Sequence, residues 1–217
     1  MAIALVGMAD RSQGFNGKIS FRRVSTSKTA LRRSKHHARG DVYEVDCSLD
    51  ADAFQKKMQE EVMPDTATAM PFADVVTVQI DGAPAHIGRG KSRLDLPKGC
   101  GIERLNQAGA KFKPKIRFER QPGNSPDTNV LDLAVFRALS VRVHEKQRER
   151  RAGFYDQDGL WTAMTQAWKE LPADAIERAW VDRELALRQI IKHKGRNTFE
   201  VPHTKPAERA KILAKLR

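Results

Sequence analysis

Apolar positions fall into two regimes along the chain. Up to about residue 120 short runs of the length of strands alternate with a helical stripe at 54–62 and an amphipathic piece at 102–105, and beyond it apolar positions recur every three or four residues as on helices. Residues 2–8 form an apolar run ending before Asp10, which predicts a strand almost at the first residue; 18–24 and 42–47 predict two more. Ser48 is expected to cap a helix with Asp50 and Asp52 in its first turn and Phe54, Met58 and Val62 on one face, ended by Pro64. Residues 75–81, with Val75, Val76, Val78 and Ile80, predict a central strand buried on both faces. The Gly- and Lys-rich stretch 88–115 reads mostly as loop, with a short amphipathic piece at 102–105, before a strand at 116–118.

Turn formers crowd residues 122–129, and a helix is predicted over 131–150 with Val135, Phe136, Leu139 and Val143 on one face. Two more stripes follow: Trp161, Met164, Trp168 and Leu171, then Ile176, Trp180, Leu187 and Ile191, punctuated by Pro172 and Gly195. These aromatics are expected in a core. The end of the chain is basic, with an amphipathic piece around Ile212, Leu213 and Leu216.

A chain of 217 residues, 40% of them hydrophobic, is long enough to bury one core without staples. One domain over residues 1–195 with a basic tail at 196–217 is the expected organisation. Cys47 and Cys100 stand far apart, outside any C-x-x-C pattern, which gives no support to a disulfide framework or a cysteine zinc site and makes a reducing, intracellular setting the default. No apolar run approaches the length of a membrane span, so no membrane partner is expected.

A net charge of +12 favours polyanionic partners, nucleic acid first. The charge is segregated: residues 11–40 hold nine Lys or Arg and no acid, whereas 41–75 hold nine acids and two Lys. The basic block includes Arg22, Arg23, Lys28, Arg32, Arg33, Lys35 and Arg39, and reads equally as a solvated loop or as a surface that tracks phosphates.

Two carboxylates stand out. Asp81 ends the Val-rich strand, where open α/β sheets meet their ligands. Asp132 lies in a first helical turn, in step with Phe136, Leu139 and Val143, so its side chain is expected to face the sheet. Two such acids held together repel unless a cation neutralises them, as at Mg²⁺ sites built from oxygen ligands. Taken singly, each is as readily a cap or a dipole partner.

The words around these acids carry a resemblance. VQIDGAPAH at 78–86 and NSPDTNVLD at 124–132 resemble the second and third catalytic motifs of mariner-type DDE or DDD transposases; FNGKIS near Gly17, RRSKHHARG ending at Gly40, and GRNTFEVPHTK from Gly195 look like its diverged protist and oomycete branch. The resemblance implies an α/β, ribonuclease-H-like mixed sheet flanked by helices, with a helical C-terminal half. It implies DNA as partner, a nuclear location, a homodimer as a conceivable assembly, and Mg²⁺ or Mn²⁺ as cofactor held by Asp81 and Asp132. His86 is then a supporting group near Asp81, and Asp127 makes an Asx turn or helps cap the helix. Arg32, Arg33, Lys35, Arg39, Lys111, Lys113 and Lys115 are the candidates for DNA backbone contacts.

This sequence departs from the pattern in three ways. Gly82 comes after Asp81 where the family commonly has Asn, fifty residues separate the two acids where the family's spacing is compact, and residues 1–10 match the segment just beyond the family's first catalytic strand. The expectation is a domain without its first strand and first acid, impaired as an endonuclease. The alternative is a non-catalytic nucleic-acid-binding protein derived from a transposase. Asp10 is the nearby substitute for the first acid, on an unpromising loop. Gly90, Lys91 and Ser92 mimic the end of a phosphate-binding loop, but Ala85 stands where its first glycine belongs. His36 and His37 lack a second pair at zinc spacing, and nothing assigns a role to His203.

Overall fold

The computed structural model describes residues 2–83, 86, 101–123, 125–149, 157–196, 199 and 204–216. The expectations for Gly90, Lys91, Ser92, Cys100 and His203 fall outside these residues. The fold is mixed α/β.

Among the described residues six strands form three two-stranded ladders. Strand β1 (Ala2–Val6) pairs antiparallel with β2 (Lys18–Arg23), with a shift in register between Leu5 and Val6. Strand β3 (Ser25–Thr29) pairs antiparallel with β4 (Val42–Asp46). Strand β5 (Val75–Ile80) pairs parallel with β6 (Lys115–Arg120), Ile80 lying opposite Arg120. Helices supply the rest: α1 (Ala51–Lys57) runs through a π-helical turn (Met58–Val62) into α2 (Met63–Ala69); α3 (Gly101–Gly109) precedes β6; a second π turn (Leu131–Val135) leads into α4 (Phe136–Glu149). Then come α5 (Gln157–Glu170), α6 (Ala173–Lys192) and α7 (Pro206–Leu216).

Two helical layers cover the strands. Phe54, Met58, Val62 and Met63 from α1–α2 and Leu105 from α3 pack on Val76, Val78, Ile80, Ile116 and Phe118, and the same layer takes Ile3 and Leu5 from β1. Each such side chain contributes about 1.5–3 kcal/mol when fully buried. Val6 points the other way, as the two-residue period of a strand requires, and joins Val130, Val135, Leu139, Ala167, Leu171 and Ile176 in a second cluster. Phe21 from β2 is clasped in that layer between the rings of Trp161 and Trp168, at centroid distances of 5.2 and 5.0 Å. Helix α7 packs through Ile212, Leu213 and Leu216 on Val181 and Leu185 of α6.

Between the outer edges of β1 and β5 lies a cleft of about 420 Å³, lined by residues 5–8, 75–79 and 128–131 and by Trp180 and Arg183 of α6. Among the described residues β1 pairs only with β2 and β5 only with β6.

Several expectations need correction. Asp50, not Ser48, caps α1, its side chain accepting from Ala53 N at 2.8 Å. Pro64 does not end the helix: it occupies the first turn of α2, where it needs no amide partner, and the π turn before it widens the backbone. Strand β5 is not buried on both faces. Val76, Val78 and Ile80 are buried, whereas Val75 remains 54% exposed. The piece at 102–105 belongs to a longer helix, α3.

The polar strand β3 is not expected from the sequence, because its Ser-Thr-Ser-Lys-Thr run has no apolar face. Val135, at the end of the second π turn, and Leu139 of α4 are buried, but Phe136 is 43% exposed. On α6, Ile176, Ala179, Leu185 and Ala186 are buried whereas Ile191 is 77% exposed, so the buried face is lined by smaller residues than the aromatic stripe suggested. No helix among the described residues is long and apolar enough to cross a membrane.

Candidate functional site

Asp81 leaves the carboxyl end of β5, and its Oδ1 accepts from the Ala83 amide at 3.0 Å, an Asx turn that bends the chain off the strand. The same oxygen meets His86 Nδ1. A carboxylate only accepts, so Nδ1 carries the proton in this pair. The His86 ring stacks on Phe54 at 4.2 Å between centroids, which fixes the imidazole plane against the α1 layer. The bond from His86 holds the Asp81 carboxyl below the ordinary carboxylate range, against the opposing pull of partial burial.

Asp132 stands in the π turn that begins α4. Asn129 Nδ2 donates to its Oδ2 at 2.9 Å, while Asn129 Oδ1 accepts from Leu131 N at 3.0 Å. Asn129 therefore does the capping expected of Asp127, which sits in the short 3₁₀ turn Pro126–Thr128. Partial burial raises the Asp132 pKa, and the charge of Asp81 raises it further.

The elements that carry them are braced. Gln79 Nε2 donates to Thr128 O at 3.2 Å, and Arg183 donates to the same carbonyl at 2.9 Å and to Gln79 Oε1 at 3.3 Å. This ties β5, the turn before Asp132 and α6 together. Gln121 N donates to Ile80 O at 2.7 Å, continuing the strand pairing beside Asp81.

Each acid thus engages one oxygen, and among the described residues Asp81 Oδ2 and Asp132 Oδ1 carry no partner. Mg²⁺ is commonly held by one or two carboxylates, with water and substrate phosphate completing the shell, so the open oxygen of each acid is a donor of the type a hard cation takes. Among the described residues no group of three or more His, Cys, Asp and Glu gathers that could enclose a metal. Asp10 adds nothing here: it caps the 3₁₀ turn Arg11–Gln13, accepting from Ser12 N at 3.0 Å.

The basic candidates divide. Arg32, Arg33, Lys35 and Arg39 are exposed on the β3–β4 loop, whose backbone is ordered by Ser34 and by Asp41, which accepts from Ala38 N at 2.6 Å. Lys111, Lys113 and Lys115 are exposed at the amino end of β6, five strand positions, or about 17 Å, below the level of Ile80. The structure does not bring them to the acids. Arg22 and Arg23 are engaged internally, Arg22 with Asp65 and Arg23 with Asp46 at 2.9 Å and Asp158 at 2.6 Å. His37 stacks on Tyr43 at 4.0 Å.

The residue that sequence reasoning missed is Arg120. Placed opposite Ile80 by the parallel register, it brings its guanidinium beside Gly82, at 3.2 Å from where a Cβ there would stand. A basic residue at the carboxyl end of a strand was the available signal. Compared with models of protein families, with characterised proteins and with solved structures, the chain has no match.

Proposed function

We propose that Asp81 and Asp132 hold a divalent cation, Mg²⁺ or Mn²⁺, and that the chain is the catalytic domain of a mariner-type DDE transposase with a ribonuclease-H-like core, acting on the phosphodiester backbone of DNA. The observation that carries this reading is the pair of carboxylates, each pinned through one oxygen with the other open, with Asp132 raised by partial burial and then by the charge of Asp81. Asp132 is not placed as a simple helix cap, because that work is done by Asn129, and Asp81 makes the Asx turn after β5 through one oxygen while its other stays open. The parallel β5–β6 pair with Asp81 at its carboxyl end, and helices on both sides of the strands, support the fold named.

Each residue has a part in this reading. His86, oriented by Phe54, keeps Asp81 ionised and aimed; Asn129 orients Asp132; Gln79, Thr128 and Arg183 fix the spacing between the two elements. Arg120 offers a guanidinium for a phosphate oxygen at the same strand ends. A bound Mg²⁺ supplies charge neutralisation at the phosphate. The exposed basic loop at 32–39 supplies contacts that position DNA without reading sequence.

The test is nicking of supercoiled plasmid with Mg²⁺ or Mn²⁺ by the full chain, beside Asp81→Asn and Asp132→Asn. Impaired but detectable nicking by the parent, and none by either variant, is the expected result. A second reading, a nucleic-acid-binding protein without catalysis, is favoured by the gathering of only two carboxylates among the described residues. It predicts salt-sensitive DNA retention with no nicking, and retention unchanged in both variants.

A further inference from the structure

From the arm formed by β3, β4 and the loop between them we infer a binding site for single-stranded DNA, in which His37 is the ring on which an unpaired base stacks. The neck of the arm is closed by two backbone bonds, Ala30 N to Asp41 O and Gly40 N to Ala30 O, each 2.8 Å. Gly40, at φ +94°, turns the chain back into β4. Within the loop, Ser34 N donates to His37 O at 2.8 Å, and Ser34 Oγ accepts from His36 N at 3.3 Å and from His37 N at 3.0 Å. The loop so ordered brings the His37 imidazole onto the Tyr43 ring, with centroids 4.0 Å apart and planes 13° from parallel, and His37 stays partly exposed there. A ring pair held flat before any ligand arrives gives up little freedom when a third ring joins it.

A second observation concerns charge. Lys28, opposite Tyr43 in the ladder, and Arg32, Arg33, Lys35 and Arg39 in the loop are exposed, and among the described residues none of the five has an acidic partner. The acids of the arm are engaged elsewhere: Asp41 accepts from Ala38 N at 2.6 Å, and Glu44 accepts from Ser27.

Ring and charge together select the occupant. Cations stand on both sides of His37 along the chain, as a strand that carries one phosphate for every base requires. Within a duplex the face of each base is covered by its neighbours, so only an unpaired strand, such as DNA exposes beside a nick or a frayed end, uses both features. A lipid surface offers charge but no ring, and the two exposed apolar side chains of the arm, Leu31 and Val42, stand at its neck with the loop cations beyond them. The inference rests on the proposed function for DNA as the polyanion and adds the form of DNA that the arm holds; it needs neither Asp81 nor Asp132.

The experiment is fluorescence anisotropy of the full chain at about 50 mM salt with a labelled oligothymidylate of about twelve nucleotides, the same strand made abasic throughout, and a duplex of that length. The abasic strand keeps the phosphates and removes the stacking. The parent is expected to bind the oligothymidylate about tenfold or more tighter than the abasic strand. His37→Ala is expected to lose that preference with duplex affinity unchanged, and His37→Phe to keep it. Equal affinity of the parent for the two single strands overturns the inference and leaves the proposed function standing, because charge alone then holds DNA. A preference that survives in His37→Ala, or is lost in His37→Phe, also overturns it, since the base then does not stack on a ring at this position. Retention of no oligonucleotide removes it together with DNA as partner; binding instead to vesicles of phosphatidylserine and phosphatidylcholine, abolished by Leu31→Ala, assigns the arm to a membrane.

Discussion

The guanidinium of Arg120 stands where a side chain at position 82 would go: a Cβ on Gly82 would lie 3.2 Å from Arg120 Nη2. The glycine beside Asp81 is thus packed against a cation from the neighbouring strand. Because the obstructing atoms are the far end of a flexible chain, Gly82→Asn is expected to fold, with stability changed by less than about 1 kcal/mol in urea titration. Under the proposed function its effect is on DNA: displacement of Arg120 is expected to weaken phosphate contact, read as a smaller salt dependence of binding.

Gly109 makes the opposite case. A Cβ there would fall 2.1 Å from the carbonyl oxygen of Ile116, a backbone atom within β6 that cannot rotate aside. Gly109→Ala is expected to cost about 3 kcal/mol or more, because α3 must lift off the strand it covers. A urea midpoint equal to that of the parent would contradict the tight approach of α3 to β6.

Asp132 and Asp81 impose opposite pH dependences. Asp81 titrates below its ordinary value, so its stabilising bond to His86 is present above the unfolded carboxylate pKa of about 3.9 and fades as pH falls through the lower folded value. Asp132 titrates above its ordinary value, so its ionised form opposes folding, and the strain appears as pH rises through that folded value. Asp132→Asn is expected to raise Tm at neutral pH, with the gain vanishing below about pH 4. Under the proposed function the same change abolishes Mg²⁺ binding, detectable by calorimetry. A variant less stable than the parent at pH 7 would refute the account of Asp132.

Phe21 is held between two indoles in near-parallel stacks, with interplanar angles of 5° and 13°. Phe21→Ala is expected to cost about 3 kcal/mol and to loosen α5 from β2. Near-ultraviolet circular dichroism checks this: the tryptophan bands should weaken while the far-ultraviolet helix signal stays.

The legible parts of the fold were those with a strong local signature. The existence of β5, the stripe of Phe54, Met58 and Val62, and the position of Asp81 at a strand end could be read without the structure, whereas the one-sided burial of β5 could not. What failed needed tertiary information. Ser48 and Asp50 both suit a cap, and only the geometry selects Asp50. Arg22 and Arg23 look like a DNA surface until Asp65, Asp46 and Asp158, distant in sequence, close on them. Arg120 acquires its place from a parallel register with a strand forty residues earlier. Asp132 was located correctly, but its partner Asn129 was not, because a turn written Asn-Val-Leu-Asp offers two side chains for one cap.

The π turn at Leu131–Val135 holds one residue more than an α-helical turn would. Removing one residue from it would restore ordinary winding and swing Asp132 by about 100° around the helix, while Val135 and Leu139 could keep their places in the core. The aim of this carboxylate is therefore set by a count of residues and not by the packing of α4. A one-residue deletion can separate the two acids in a chain that still folds, whereas no substitution in the helix acts so selectively.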